Sequence, residues 1–267
     1  LTVPGNQSAA EGAALTFSVA ASDPDGDAVT LGASGLPDGA SFDAATGAFS
    51  WTPGYDQAGN HSVLFSADDG QGGHAEAEVA LHVSDTNRAP GLAAPGDQSV
   101  DEGQSLAFSV AATDPDGDGV ALSAQDLPPG AAFDTATGAF EWTPGYDQAG
   151  DYTVAFSADD GRGGTAQATV AVTVANVNRA PVLDPIPDAT VKARTTLAFT
   201  VHATDPDSDL VTYAADTLPT GATFNGVTGA FSWTPAKAQA GDYTVTFHAR
   251  DGSLEDFQAV HITVTKR

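Results

Sequence analysis

Residues 15–27 read LTFSVAASDPDGD, an alternating apolar run that ends in an acidic turn. Leu15, Phe17, Val19 and Ala21 take every second place, with Thr16, Ser18 and Ala20 between them. A period of two puts the first set on one face of a half-buried β-strand. Val154, Phe156 and Ala158 alternate with Ala155 and Ser157 in the same way. The turn recurs: SDPDGDAVTL begins at Ser22, TDPDGDGVAL at Thr113 and TDPDSDLVTY at Thr204, an offset of 91 residues each time. The same offset links Trp51, Trp142 and Trp233, and also Asp69-Gly70, Asp160-Gly161 and Asp251-Gly252. A unit of this length is domain-sized and closes its own core, unlike the shorter repeats of solenoids.

Three tandem domains are expected, 1–89, 90–180 and 181–267, with seams at the Asn-Arg-Ala-Pro sequences 87–90 and 178–181. Proline stops a strand there and no Gly/Ser tract follows, so the linkers read as short and stiff. Within the first unit the pattern predicts strands at 14–21, 28–33, 47–51, 61–67 and 75–83, plus an N-terminal strand near 1–8. PDGD, LPDG, ATG, PG and DDGQGG supply the turns between them. Short strands at this density describe an all-β chain of Greek-key β-sandwiches of the immunoglobulin type. In the third unit Val260, Ile262 and Val264 come one residue early, so the last hairpin should be one residue shorter.

The 267 residues carry 9 Lys and Arg against 35 Asp and Glu, a net charge of −26. That balance excludes passive binding to nucleic acid or to an anionic membrane and makes cations the natural partner. No run approaches the ~18 apolar residues of a membrane span. Without Cys there are no disulfides or thiolate metal sites. The lack of Met suggests a segment internal to a longer reading frame, so a missing signal peptide does not bear on secretion.

Asp23-Pro-Asp25-Gly-Asp27 and its repeats, Asp114, Asp116, Asp118 and Asp205, Asp207, Asp209, crowd three carboxylates into one turn. Two such charges ~4 Å apart repel by about 4 kcal/mol at an effective dielectric near 20. A hard cation would relieve this, and oxygen-only ligands favour calcium. An EF-hand is not the answer, because the place of its bidentate Glu holds Ser34 in the first unit and Gln125 in the second. Taken alone, the turn reads equally as a solvated one.

The wider pattern resembles cadherin repeats, most closely the bacterial and dystroglycan-type cadherin-like and Putative Ig repeats. The matching features are the early Glu11 and Glu102, DPDGD, Tyr55-Asp56-Gln57-Ala58-Gly59, Ala67-Asp68-Asp69-Gly70, and the linker Asp85-Thr86-Asn87-Arg88-Ala89-Pro90. The resemblance implies calcium at each seam, held by acids of the preceding unit, the linker and the following unit. Seam one would use Glu11, Asp56, Asp85, Asn87, Asp114, Asp116, Asp118 and Asp160. Seam two would use Glu102, Asp147, Asn176, Asn178, Asp205, Asp207, Asp209 and Asp251. Asp23, Asp25, Asp27 and Asp69 would face upstream.

The chain offers an internal check on that polarity. In the third unit Ala193, Ala238 and Arg250 stand where the second has Glu102, Asp147 and Asp159, while the turn acids and Asp251 remain. The downstream-facing acids disappear as a set, and the charges of the three units are −11, −11 and −4. The implied C-terminal end is poor in calcium. Arg88 and Arg179 stand where cadherins have a second linker acid, and YDQAG has one acid where they usually have two. One or two ions per seam are therefore expected, with affinity in the range of about 10⁻⁴ to 10⁻³ M.

Trp51, Trp142 and Trp233 each follow a Phe at i−2, which places both on the core face rather than on an exposed sugar platform. The six His show no recurrence between units and no metal-like spacing. No nucleophile with a base was found, so the chain does not read as an enzyme. Asn6-Gln-Ser and Asn60-His-Ser fit a glycosylation pattern that also arises by chance. The expected role is a calcium-stiffened rod, the stalk or adhesive segment of a large secreted or cell-surface protein, with neighbouring domains, surface glycans or a second copy as partners. The alternative is a carbohydrate-binding accessory module of a polysaccharide-degrading enzyme, using exposed Trp and Tyr.

Overall fold

The computed structural model describes residues 1–266. The first unit has strands β1 (Gln7–Ala10), β2 (Leu15–Ser18), β3 (Thr30–Ser34), β4 (Ser41–Asp43), β5 (Ala48–Trp51), β6 (Gly59–Asp68) and β7 (His74–Ser84). They form two sheets, in order β1-β7-β6-β3 and β2-β5-β4. The chain crosses between sheets after β1, β2, β4's partner β5 and β3, which is the Greek-key sandwich the alternation implies. The second and third units repeat both sheets, including the parallel pairing of the first strand with the last.

Phe49, Trp51, Val63, Phe65, Val79, Leu81 and Val83 line the first core, all 1% exposed or less. Phe17 stacks on Phe49 at 4.5 Å between centroids, and Phe65 meets Phe49 edge-on at 6.2 Å. The other two units repeat this aromatic triad. The Trp residues belong to the core, as their spacing predicted. Each indole N–H is satisfied by a loop carbonyl: Trp51 donates to Asp38, Trp142 to Pro129 and Trp233 to Thr220. Gly47, at φ 70°, brings β5 so close to β2 that a Cβ there would overlap the Val19 carbonyl.

Three expectations change. The strand expected at 1–8 begins at Gln7, because Pro4 and Gly5 interrupt it, and only a bridge between Thr2 and Ala20 precedes it. The strand expected at 14–21 leaves its sheet after Ser18: Val19 donates to Gly47, and Ala20 exchanges hydrogen bonds with Thr2. His61, read as having no counterpart, takes the place of Tyr152 and Tyr243. All three sit edge-on to the Trp of their unit and reach the backbone oxygen of a Gln four residues earlier. The last hairpin of the third unit is indeed shorter, pairing Arg250 with Glu255 where the first pairs Asp68 with His74.

This topology sorts the acids by end. The turn between β2 and β3 and the turn between β6 and β7 lie at the upstream end of a unit. Glu11, the loop 54–58 and the end of β7 lie together at the downstream end.

Candidate functional site

The half of each seam supplied by the preceding unit is built on a buried glutamate. Glu11 is 4% exposed and Glu102 is 2% exposed. Glu11 Oε1 accepts the N–H groups of Gln57 and Ala58 at 3.1 and 2.8 Å, and its Oε2 accepts that of Thr86 at 3.1 Å. Glu102 repeats this with Gln148, Ala149 and Val177. The carboxylate thereby ties a loop and the outgoing linker to the end of its sandwich. Asp56 and Asp147, on the same loops, are exposed, as are Asp85 and Asn176 in the linkers.

The half supplied by the following unit is an Asx-type turn. Asp114 Oδ1 accepts from the N–H groups of Asp116 and Asp118 at 2.8 and 3.3 Å. Asp205 does the same for Asp207 and Asp209, and Asp23 for Asp25 and Asp27. Asp160 Oδ1 accepts from Arg162 and Gly164 N–H, which closes the neighbouring turn.

The linker asparagine crosses the seam. Asn87 Nδ2 donates to Asp160 Oδ2 at 2.8 Å, and Asn178 donates to Asp251 at 2.9 Å. The Asn87 amide, with the turn N–H groups of Arg162 and Gly164, holds the Asp160 carboxyl below the ordinary carboxylate range against the opposing effect of burial. Asp251 is held low chiefly by the N–H groups of Leu254 and Ser253.

Asp116 and Asp207, expected among the metal ligands, are engaged by arginine. Arg88 donates its backbone N–H to Asp116 Oδ2 at 2.6 Å and its Nε to Oδ1 at 2.8 Å, with Nη2 2.7 Å from Oδ1. Arg179 grips Asp207 the same way. These bonds lower both carboxyls below their usual range and raise the arginines. In seam one Arg162 also bridges Asp85 and Asp118, at 3.3 and 3.2 Å. No three His, Cys, Asp or Glu among the described residues are grouped so as to hold a metal as they stand.

Four seam oxygens remain buried without a hydrogen-bond partner: Asn87 Oδ1, Asp114 Oδ2 and Asp118 Oδ2 at seam one, and Asp205 Oδ2 at seam two. Each such acceptor costs roughly 1–3 kcal/mol. Oxygens left wanting a positive partner are donors suited to a hard cation, so this subset of the expected ligands fits calcium.

The arginine grip went unread in the sequence, where Arg88 counted only as a lost ligand. A signal was present: Arg88 is the only Lys or Arg of the first unit, and it recurs as Arg179.

The family model described as Putative Ig domain matches residues 1–84, 89–175 and 180–265. No curated protein matches the chain in sequence. Among solved structures, mouse cadherin-23 EC22-24 is 20% identical with a TM-score of 0.54, covering 99% of this chain and 97% of that one. Human CDH23 EC21-23 is 20% identical with a TM-score of 0.54, over 88% of each chain. The protocadherin gammaB7 EC3-6 cis-dimer is 19% identical with a TM-score of 0.51, over 98% of this chain and 72% of that one. At these identities the likeness is one of fold: tandem cadherin-like sandwiches. The matching family indicates no catalytic one. Among the described residues no helix is long and apolar enough to cross a membrane.

Proposed function

We propose, from the premise that this chain belongs to the Putative Ig domain family in three tandem copies, that it is a spacer whose seams calcium stiffens. The observation that carries this reading is the set of buried acceptors without partners at the seams, Asn87 Oδ1, Asp114 Oδ2, Asp118 Oδ2 and Asp205 Oδ2. A divalent ion there would satisfy oxygens supplied by the linker and the following sandwich. Asp160, Asp251 and the exposed acids Asp56, Asp85, Asp147 and Asp209 stand at the same seams as further ligands. Held in this way, neighbouring sandwiches keep one mutual orientation, and the chain serves as the stalk or adhesive segment of a secreted or surface protein. The net charge of −26 suits such an exposed, soluble array.

The sugar-binding alternative finds no comparable support. Its Trp platforms are 1–2% exposed, with their N–H groups already engaged.

Small-angle scattering of the whole chain with calcium, magnesium or chelator, at constant ionic strength, tests the reading. Extension and rigidity should rise with calcium and not with magnesium, most clearly in the Arg88→Ala, Arg179→Ala chain, whose seams have lost their arginine contacts. Asp114→Asn should abolish the response at seam one and Asp205→Asn at seam two. A profile of the Arg88→Ala, Arg179→Ala chain that is indifferent to calcium would end the proposal.

A further inference from the structure

Lys and Arg are scarce in this chain, and residues 1–180 contain only three: Arg88, Arg162 and Arg179. All three lie at seams, against carboxylates. We infer that Arg88 and Arg179 are resident cations of the seams, each locking two neighbouring sandwiches together without any metal. This goes beyond the calcium reading and does not depend on it.

The geometry is that of a clamp. The Arg88 guanidinium lies over the ring of Tyr55, 4.5 Å from its centroid, and Tyr55 belongs to the first unit. The same side chain grips Asp116 of the second unit, so one group from the linker touches both sandwiches. Arg179 lies over Tyr146 at 5.2 Å, donates to the Tyr146 carbonyl at 3.2 Å and grips Asp207. Stacking on an aromatic face and a fork onto a carboxylate are both arginine geometries that lysine does not reproduce. The Asp116 and Asp207 side chains are only 9% and 5% exposed. The pairs are therefore shielded from salt, unlike Arg162–Asp85, whose partners are both more than half exposed.

The tyrosine has a seat of its own. Its hydroxyl lies 3.0 Å from where a Cβ on Gly12 would stand, and the Gly103–Tyr146 pair repeats this at 2.9 Å. The third unit has lost the whole cradle. Lys237 replaces the tyrosine, and Arg194 keeps the glycine's left-handed backbone at φ 71°, with a side chain where the ring would lie. Gly12, Tyr55 and Arg88 thus form one device, and its tyrosine and glycine are replaced together in the third unit. Seam one has a second arginine contact through Arg162, whereas seam two has the neutral Asn176 and Ser253 in the places of Asp85 and Arg162.

The full chain lacks cysteine, so label pairs report each joint separately. Ser50→Cys with Glu141→Cys reads seam one, and Glu141→Cys with Ser232→Cys reads seam two, all at exposed strand positions. With EDTA present, interspin distance distributions should be narrow at both seams of the parent chain and should stay narrow in high salt. Arg88→Ala should broaden seam one alone and Arg179→Ala seam two alone. Arg88→Lys should broaden seam one as well, because an ammonium lacks the fork. Tyr55→Ala serves as a second seam-one variant, and unchanged melting of each sandwich shows that folding is retained. A parent distribution in EDTA already as broad as that of Arg88→Ala, or no broadening in either seam-one variant, would overturn the inference. Calcium added to Arg88→Ala separates the two ideas: narrowing supports the calcium reading, and a failure to narrow ends that reading while leaving the arginine lock intact.

Discussion

Glu102→Ala removes the one carboxylate that holds the second sandwich's loop and outgoing linker together. Three N–H groups lose an acceptor, but Gln148 retains the Gly145 carbonyl at 3.2 Å, so two donors, Ala149 and Val177, lose their only partner. A hydrogen bond to a charged group contributes about 1.5–3 kcal/mol. Both donors lie at a partly exposed end where water enters after the change, which favours the lower figure and a total loss of about 3 kcal/mol. For a domain of this size that corresponds to a fall in Tm on the order of 10–20 °C. Each unit has a single tryptophan, so Trp51→Phe with Trp233→Phe leaves Trp142 to report the second sandwich alone. The melt belongs in EDTA, which keeps any metal contribution out of the comparison. A Trp142 transition within about 3 °C of the parent would refute the view that this glutamate is a structural tie. The third unit shows the alternative solution: with Ala193 in that place, its loop closes as a 3-10 turn over Lys237–Gln239.

Gly138→Ala should destabilise the second sandwich severely, by more than ~3 kcal/mol, because φ 71° and the Val110 carbonyl both oppose a Cβ; Gly130→Ala, at φ 85° in open space, should cost only ~1 kcal/mol in the same urea titration. The Arg179–Asp207 pair should outlast acidification through the unfolded-chain aspartate value of ~3.9, since Arg179 holds this carboxyl lower. Its stabilisation is present above that value and is lost as pH falls through the depressed folded one, so a carboxyl-carbon NMR titration of Asp207 with a midpoint at or above ~3.9 would contradict the ion pair.

The parts of the fold legible in the sequence are those with period two and repetition. β6 and β7 alternate for ten or more residues, and their bounds differ from the expectation by at most two residues. β4 was missed because Ser41–Asp43 has one apolar residue, Phe42, and three residues establish no period. The break after Ser18 was hidden because Val19 and Ala21 continue the alternation while the backbone changes partners. At the seams, Glu11 and Glu102 stood out because the third unit loses its counterpart together with other acids. What the sequence concealed was the choice each acid makes among partners. Asp114 and Asp116 look alike in DPDGD, yet one keeps an oxygen unpaired and the other gives both to Arg88, a distinction set by linker geometry.

The parallel pairing of β1 with β7 bears on how the array would carry tension. Gln7 to Ala10 lie beside Leu81 to Ser84, one near the entry of the chain into the sandwich and the other at its exit. Pulling on the two ends would slide these strands past each other, loading the four residue pairs in shear at the same time instead of peeling them one by one. Each sandwich then resists extension at the strands through which the pull enters and leaves, and its lifetime under load is set by an unfolding barrier rather than by equilibrium stability.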